Sequence, residues 1–144
     1  YFNVFNTYFL NNIQKYIDHG IFTDGIERTP KIHTLRTDSK NKWFIGCKIH
    51  FMIHEYTENQ FQFAPEAVCT GIQKIKIKCS YRNSPAPCEG PQGYISVKID
   101  GRYLSAMEVI QLSKNDGFDL IEDFFHYFYP KFEGKIIHWT SFKY

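Results

Sequence analysis

The chain has 144 residues, a length that suits one domain with a core large enough to need no disulfide or metal. Lys and Arg number 17 against 15 Asp and Glu, so the net charge is only +2. This excludes a protein coated with positive charge for nucleic acid and leaves that role to local patches. No apolar run reaches the roughly 18 residues of a membrane helix, and the first residues show no signal-peptide pattern. We therefore expect a soluble, cytoplasmic protein.

The four cysteines are widely spaced and form no Cys-x-x-Cys pair: Cys47, Cys69, Cys79 and Cys88. This spacing is a poor match to a zinc site. We expect reduced thiols, no metal and no cofactor. A bridge from Cys79 to Cys88 stays open if the protein is secreted.

The first part of the chain predicts a helix followed by a loop. Apolar residues recur at helical spacing over residues 4–18, and Gly20 follows where a helix cap commonly lies. Residues 21–30 have no period and contain Gly25 and Pro30, which is typical of a loop that leads to Lys31. The polar run 37–42 predicts a turn or an exposed loop.

Two stretches alternate as half-buried strands do. The first covers residues 46–56, in which Lys48 and His50 alternate with Ile49 and Phe51. The second covers residues 72–81, where apolar residues alternate with Lys74, Lys76 and Lys78. The alternation places three ammonium groups on one face. A solvated strand face is the ordinary interpretation, and contact with nucleic-acid phosphates is the alternative.

The second half of the chain predicts strands and short helices in turn. A Pro-rich loop over residues 82–93 precedes a strand over 94–99 and a tight turn at Asp100-Gly101. Two pairs have the spacing of a capping box, Ser105 with Glu108 and Asp119 with Glu122. They predict two short helices, broken at residues 115–117 and ending before Pro130. A closing strand is expected over residues 135–144, so the whole chain, 1–144, suits a small α+β barrel.

The segment around Lys31 is the first candidate for chemistry. Lys31, Thr34 and Arg36 fall within six residues, so an amine, a hydroxyl and a guanidinium could surround one cavity. A Thr hydroxyl is a weak nucleophile until a base removes its proton. Arg36 could instead bind a phosphate or a base edge through its planar fork. As a bare string, Lys-x-x-Thr-x-Arg is common.

In this order the residues resemble the ASCH family of the PUA-like superfamily. ASCH domains carry Gly-x-Lys-x-x-Thr-x-Arg at the entry to the barrel, then a Gly turn before a strand, then an acidic residue at a helix break. The chain has Lys31, Thr34 and Arg36, a turn at Gly46, and Asp116 at the break. The resemblance covers residues 26–144, with Thr29 where Gly is expected. It implies a PUA-like β-barrel with an N-terminal helix and two short helices before the closing strand.

The resemblance also implies candidate activities. Bacterial ASCH amidohydrolases that act on acetylated cytidine use the motif Lys and Thr with a downstream Glu, so Lys31, Thr34 and Asp116 would be catalytic here. Thr34 would attack the amide carbonyl, Lys31 would take its proton, and Asp116 would orient the substrate. Asp116 is one methylene shorter than the family's Glu. Other family members bind RNA or act as nucleases.

Three hypotheses follow. The first is a module that binds RNA, a nucleoside or a nucleotide, with a pocket at Lys31, His33, Arg36 and Trp43 and a backbone contact at the three strand lysines. The second is the amidohydrolase. The third, from the likeness to small phage-borne ASCH proteins, is a phage protein that sequesters or alters a nucleotide signal. For His33 a neutral, hydrogen-bonded role in the structure is the simpler alternative, as is a core role for most of the aromatic residues.

Overall fold

The computed structural model describes residues 30–80 and 94–144. The expected helix over 4–18, almost all of the loop before Lys31 and the Pro-rich loop over 82–93 lie outside the described residues. No helix within the described ranges is long and apolar enough to cross a membrane.

The described residues form an α+β fold of antiparallel strands and two short helices. The strands are β1 (His33–Arg36), β2 (Lys48–Ile53), β3 (Phe61–Val68), β4 (Gly71–Ser80), β5 (Tyr94–Ile99), β6 (Arg102–Tyr103) and β7 (Lys131–His138), and the helices are α1 (Ala106–Asn115) and α2 (Ile121–Phe128). Five strands make one sheet in the order β1-β7-β4-β5-β6, and β2 pairs with β3 in a second. The α+β class is confirmed, while no closed barrel is present among these residues.

The main core lies between one face of the five-stranded sheet and the two helices. Alternate residues of β4, such as Ile75 and Ile77, point to this side and are fully buried. Three phenylalanines of α2 complete it from the helix side: Phe124, Phe125 and Phe128. Burial of these apolar side chains is the main force that holds the helices on the sheet.

A smaller core joins the two sheets on the opposite face. Ile137 and Trp139, in and just after β7, pack against Ile49 of β2 and Ala67 of β3. The two-stranded sheet therefore covers only one end of this face of the larger sheet. The other end stays open within the described part of the chain.

The predicted turn and the first predicted helix are confirmed. Asp100 and Gly101 both have positive φ, 46° and 88°, as the two central residues of a type I′ hairpin turn require. Ser105 and Glu108 form the expected capping box at the start of α1. The break after α1 falls at Gly117, whose φ is +93°, a conformation that ends a helix at little cost for glycine.

The prediction that Asp119 and Glu122 form a capping box at the second helix is wrong. Helix α2 is present, but its N-cap residue is Leu120, which makes no side-chain cap. Burial of its phenylalanines holds α2 in place without one. Capping contributes only about 1 kcal/mol, so a buried aromatic face outweighs it.

Three strands also differ from the sequence pattern. The strand expected over 46–56 is limited to β2, because His54 and Tyr56 have positive φ and leave the strand conformation. The closing strand runs over Lys131–His138, so it starts and ends earlier than expected. Strand β3 was not predicted. Its register with β2 shifts twice, once on each side of the Phe51–Ala64 pair, and these irregularities obscure the alternation.

Candidate functional site

A cavity of about 300 Å³ lies where β1 and the end of β7 meet the two-stranded sheet. This is the lower end of the range for ligand pockets. Its apolar wall is formed by Trp43, Ile49, Phe51, Met52, Phe63 and Trp139, and its polar groups come from Lys31, Thr34, Arg36, His50 and Glu55. The structure therefore brings four of the predicted site residues, Lys31, Thr34, Arg36 and Trp43, to one cavity.

Strand parity decides which residues of β1 reach the cavity. Successive side chains of a strand point to opposite faces, so Thr34 and Arg36 share the cavity side. His33 and Leu35 point the other way, where Leu35 joins the helix-side core. His33, which was also predicted to contact a ligand, is fully buried and does not line the cavity.

Several aromatic rings of the cavity wall contact one another. The rings of Phe51 and Trp139 meet edge to face with centroids 5.0 Å apart, and Phe51 meets Phe63 at 5.9 Å. Trp43 and Trp139 are the two tryptophans of the chain, and both line the cavity. Aromatic side chains can stack on a flat ring, which contributes about 1–3 kcal/mol for each stacked base.

The polar groups of the cavity leave hydrogen-bonding capacity unused. The Thr34 hydroxyl has no hydrogen-bond partner among the described residues, although Thr34 is only 8% exposed. The Arg36 guanidinium is exposed and makes no ion pair in the same part of the chain. His50 of β2 and Glu55, which follows β2, also line the cavity. These groups can both donate to and accept from a ligand.

Lys31 and Asp116 form an ion pair. The Lys31 Nζ lies 3.1 Å from Asp116 Oδ1, and the Asp116 side chain is only 4% exposed. The backbone of Ile32 donates to the carbonyl of Asn115 at 2.9 Å, which fixes the start of β1 against the helix break. Asp116 does not line the cavity. The predicted catalytic set is thus close in space, with Lys31 as the link between the cavity and the carboxylate.

A buried polar network lies behind β1. The Tyr144 hydroxyl is 2.7 Å from His33 Nε2 and accepts from Asn115 Nδ2 at 2.9 Å. If the hydroxyl donates to His33 Nε2, the imidazole carries its proton on Nδ1, which faces Asp116 Oδ1 at 3.6 Å. Burial lowers the pKa of His33, although the Asp116 carboxylate opposes the shift. Burial thus favours the neutral form of His33.

The network continues to His138 through Gln73. The Gln73 Oε1 accepts from the backbone N–H of Tyr144 at 3.0 Å, so the contact of 3.0 Å with His138 Nε2 makes that nitrogen a donor. Gln73 Nε2 donates to Asp100 Oδ2 at 3.0 Å. Burial, together with the charge of Lys143, lowers the pKa of His138 to about 3.

The open face of the five-stranded sheet is strongly cationic, and we call it the cationic face. The register places its residues in three rows across the strands: Arg36, Lys135 and Lys74; then Glu133, Lys76 and Lys98; then Lys131, Lys78 and Ser96. Seven of the 17 Lys and Arg residues and one of the 15 Asp and Glu residues belong to these rows. The rest of the chain therefore carries a net negative charge.

Some of the cations on this face are paired and others are not. Lys76 Nζ lies 2.8 Å from Glu133, and Lys135 Nζ lies 2.6 Å from Asp38 beside the face. Arg36, Lys74, Lys78 and Lys131 make no ion pair within residues 30–80 and 94–144. The three strand lysines that were predicted to contact a nucleic-acid backbone are therefore all exposed. Among these three, only Lys76 is neutralised by an ion pair.

No family model, curated protein or solved structure matches this chain.

Several residues of the site were missed by sequence reasoning. Glu55 and Phe63 reach the cavity through the unpredicted pairing of β2 with β3. Lys131 and Lys135 join the cationic face from β7, and their spacing of four with Glu133 between them is a strand alternation that could have been recognised. Tyr144 and Gln73 enter the buried network through contacts between distant parts of the chain, for which the sequence contains no local signal.

Proposed function

We propose that this chain binds RNA or a nucleotide, with one base in the cavity and phosphates on the cationic face. The observation that carries the proposal is the position of Arg36, which belongs both to the cavity lining and to the first row of cations. A ligand with an aromatic ring joined to an anionic group could place the ring in the cavity and the anionic group on the cationic face, with Arg36 between them. Nucleotides have this composition, and stacking with phosphate contact is how proteins hold single strands.

The fold proposed with this function is a PUA-like domain of the ASCH type. In its support, the motif residues Lys31, Thr34 and Arg36 meet at one cavity between two sheets, and Asp116 stands beside Lys31 at the helix break.

A tryptophan fluorescence titration tests the cavity. Because both tryptophans of the chain line it, a stacked base should quench or shift the whole indole emission. The four common nucleosides, their 5′-monophosphates and a cyclic nucleotide would be titrated, so that a nucleotide signal is included. Arg36→Gln should weaken binding of a monophosphate about tenfold or more, since a hydrogen bond to a charged group contributes about 1.5–3 kcal/mol.

Arg102→Gln is the matched control for the titration. Arg102 is exposed and pairs with Glu108 at 2.9 Å, away from the cavity. The control should bind like the wild type. Fluorescence that stays constant with every nucleoside and nucleotide would refute the cavity as a base site.

The cationic face is tested by the salt dependence of oligonucleotide binding. Fluorescence anisotropy of labelled single strands of about 12 nucleotides, within the range of one small domain, would be measured with RNA and DNA. Lys74→Gln/Lys78→Gln should lower the slope of log K against log salt by about 1.4, since each phosphate contact on a single strand contributes about 0.7. Lys48→Gln/Lys114→Gln makes the same change in charge elsewhere and should leave the slope unchanged.

The second candidate function is the hydrolysis of an acetylated cytidine. It is supported by the position of Lys31, which lines the cavity together with Thr34 and contacts Asp116. An ammonium in an ion pair has no lone pair for the Thr34 proton, so Lys31 would have to transfer its own proton to Asp116 first. Release of acetate from acetylated cytidine, followed by chromatography, tests this. Thr34→Val and Lys31→Ala should each abolish turnover, and no turnover by the wild type excludes the reaction.

A further inference from the structure

The Cys47 and Cys69 side chains lie opposite each other across the start of the two-stranded sheet. The register of β2 and β3 pairs Lys48 with Val68, so the next pair outward is Cys47 with Cys69. The backbone confirms the pairing, since the N–H of Cys69 donates to the Cys47 carbonyl at 2.8 Å. The N–H of Gly46 donates to the Cys69 carbonyl, also at 2.8 Å.

Gly46 forms a β-bulge next to the Cys47–Cys69 pair. Its φ is +94°, and the N–H of Cys47 donates to the Phe44 carbonyl at 3.1 Å in the preceding turn. A left-handed glycine followed by a residue that shares one cross-strand partner is the pattern of a G1 bulge. Directly opposed residues in an antiparallel pair have Cα atoms about 4.5–5.5 Å apart, which lies within the range of about 4.4–6.8 Å for disulfides.

The two thiols differ in access. Cys47 is half-buried, whereas Cys69 is only 1% exposed. The Cys69 thiol also donates to the Gly71 carbonyl at 3.6 Å. Burial raises the pKa of Cys69, and its hydrogen bond with the Cys47 side chain acts in the same direction. A reagent in solution therefore meets Cys47 first, with Cys69 held behind it.

We propose that Cys47 and Cys69 are an oxidation site that closes to an intramolecular disulfide with a small disulfide oxidant such as oxidised glutathione. The Cys47 thiolate attacks one sulfur of the oxidant, a mixed disulfide forms, and one glutathione leaves as a thiolate. The Cys69 sulfur then gives up its proton and attacks the Cys47 sulfur, so the second glutathione leaves. Two protein thiols are oxidised, one glutathione disulfide is reduced to two thiols, and both protons end on glutathione.

The disulfide would act on the wall of the cavity. Cys47 and Cys69 pack in the same small core as Trp43, Ile49 and Trp139, which line the cavity. A bond across the bulge would fix the end of the two-stranded sheet that carries this wall. The oxidation site does not depend on which ligand the cavity holds.

Peptide mapping of the full chain tests the proposal, because trypsin separates every cysteine. Cleavage after Lys48 leaves Cys47 and Cys69 on different peptides, and cleavage after Lys78 and Arg82 separates Cys79 from Cys88. After incubation with oxidised glutathione and blocking of free thiols, we expect the Cys47 peptide joined to the Cys69 peptide with the loss of two hydrogens. Dithiothreitol should release them.

Two further measurements complete the test. The melting temperature of the oxidised wild type should rise by roughly 5–10 °C, as expected when a disulfide closes a loop of this size, and Cys47→Ser should show no rise. A Cys88→Ser variant should cross-link like the wild type. A stable glutathione adduct on Cys47 without the cross-link, or a cross-link between Cys79 and Cys88 alone, would overturn the proposal.

Discussion

His138 is the residue whose protonation couples the buried network to the stability of the whole domain. It is fully buried, and its Nε2 proton is committed to Gln73. A second proton on Nδ1 would introduce a charge beside Lys143, and Nδ1 has no hydrogen-bond partner among the described residues. Charging an imidazole in such a place is costly, which is why its pKa falls to about 3.

This shift predicts that the protein loses stability in mild acid. The ordinary pKa of histidine is 6.5 and the folded value is about 3, so between them the unfolded chain binds a proton that the folded chain does not. The free energy of unfolding should therefore rise with pH across this window, by up to about 1.4 kcal/mol per pH unit for one group. The contribution is complete above the ordinary pKa and is lost as the pH falls through the window. Burial shifts His33 in the same direction.

Urea unfolding at several pH values between about 4 and 7 would measure this slope. In His138→Gln, the free energy of unfolding should rise less steeply with pH than in the wild type. The exposed His126, in the last turn of α2, offers the matched control, and His126→Gln should retain the slope of the wild type. Equal slopes for all three proteins would contradict the assignment.

At the scale of the element, the junction of β1 with β7 positions the cavity. Gly134 of β7 has no side chain, and the backbone carbonyl of Arg36 approaches it so closely that a Cβ would collide with it. Backbone cannot move aside as a flexible side chain can. The absence of a side chain at Gly134 thus allows β1 to approach, and β1 carries Thr34 and Arg36.

Gly134→Ala should therefore destabilise the domain by about 1–3 kcal/mol or more and weaken nucleotide binding by shifting Arg36. Gly71→Ala is the control, because the added Cβ would meet only the end of the Lys143 side chain, which can move. Chemical unfolding and the tryptophan titration would be run on both variants. A Gly71→Ala protein that loses as much stability and binding as Gly134→Ala would contradict this account.

The elements also show how far the sequence predicts the structure. Strand β4 was predictable, because one face is buried and the other carries lysines in strict alternation. Strand β3 was not, because two register shifts, one on each side of the Phe51–Ala64 pair, break the period and only its pairing with β2 makes it a strand. At the site, the motif identified Lys31, Thr34 and Arg36. Strand parity already separates His33 from Thr34, since neighbouring residues of a strand cannot share a face.

At the scale of the whole molecule, charge is divided between two sides of one sheet. One face carries the helices, with Glu122 and Asp123 exposed in the first turn of α2, and the other carries the rows of cations. A chain whose net charge is +2 thus has, among its described residues, one sheet face that attracts anions. Net charge alone hides this division, and the strand register reveals it.

The same division predicts how salt affects stability. Arg36, Lys135 and Lys74 are adjacent across three strands, and Asp38 neutralises only Lys135, whose ion pair lowers the pKa of Asp38. Repulsion among like charges destabilises the folded state at low ionic strength, and salt screens it. The melting temperature should therefore rise between about 20 mM and about 500 mM NaCl, where the Debye length falls to a few ångströms.

Lys74→Gln/Lys78→Gln separates this repulsion from general effects of salt. Removing two unpaired cations should raise the melting temperature at low salt and leave it near the wild-type value at high salt, where the repulsion is already screened. Lys48→Gln/Lys114→Gln should not raise the melting temperature at low salt. Lys48 forms an ion pair with Glu66 at 2.8 Å, and Lys114 in the last turn of α1 interacts favourably with the helix dipole. Scanning calorimetry of the three proteins at both salt concentrations measures the difference. If the double variant melts below the wild type at low salt, the cationic face stabilises the free protein instead of being held ready for an anionic partner.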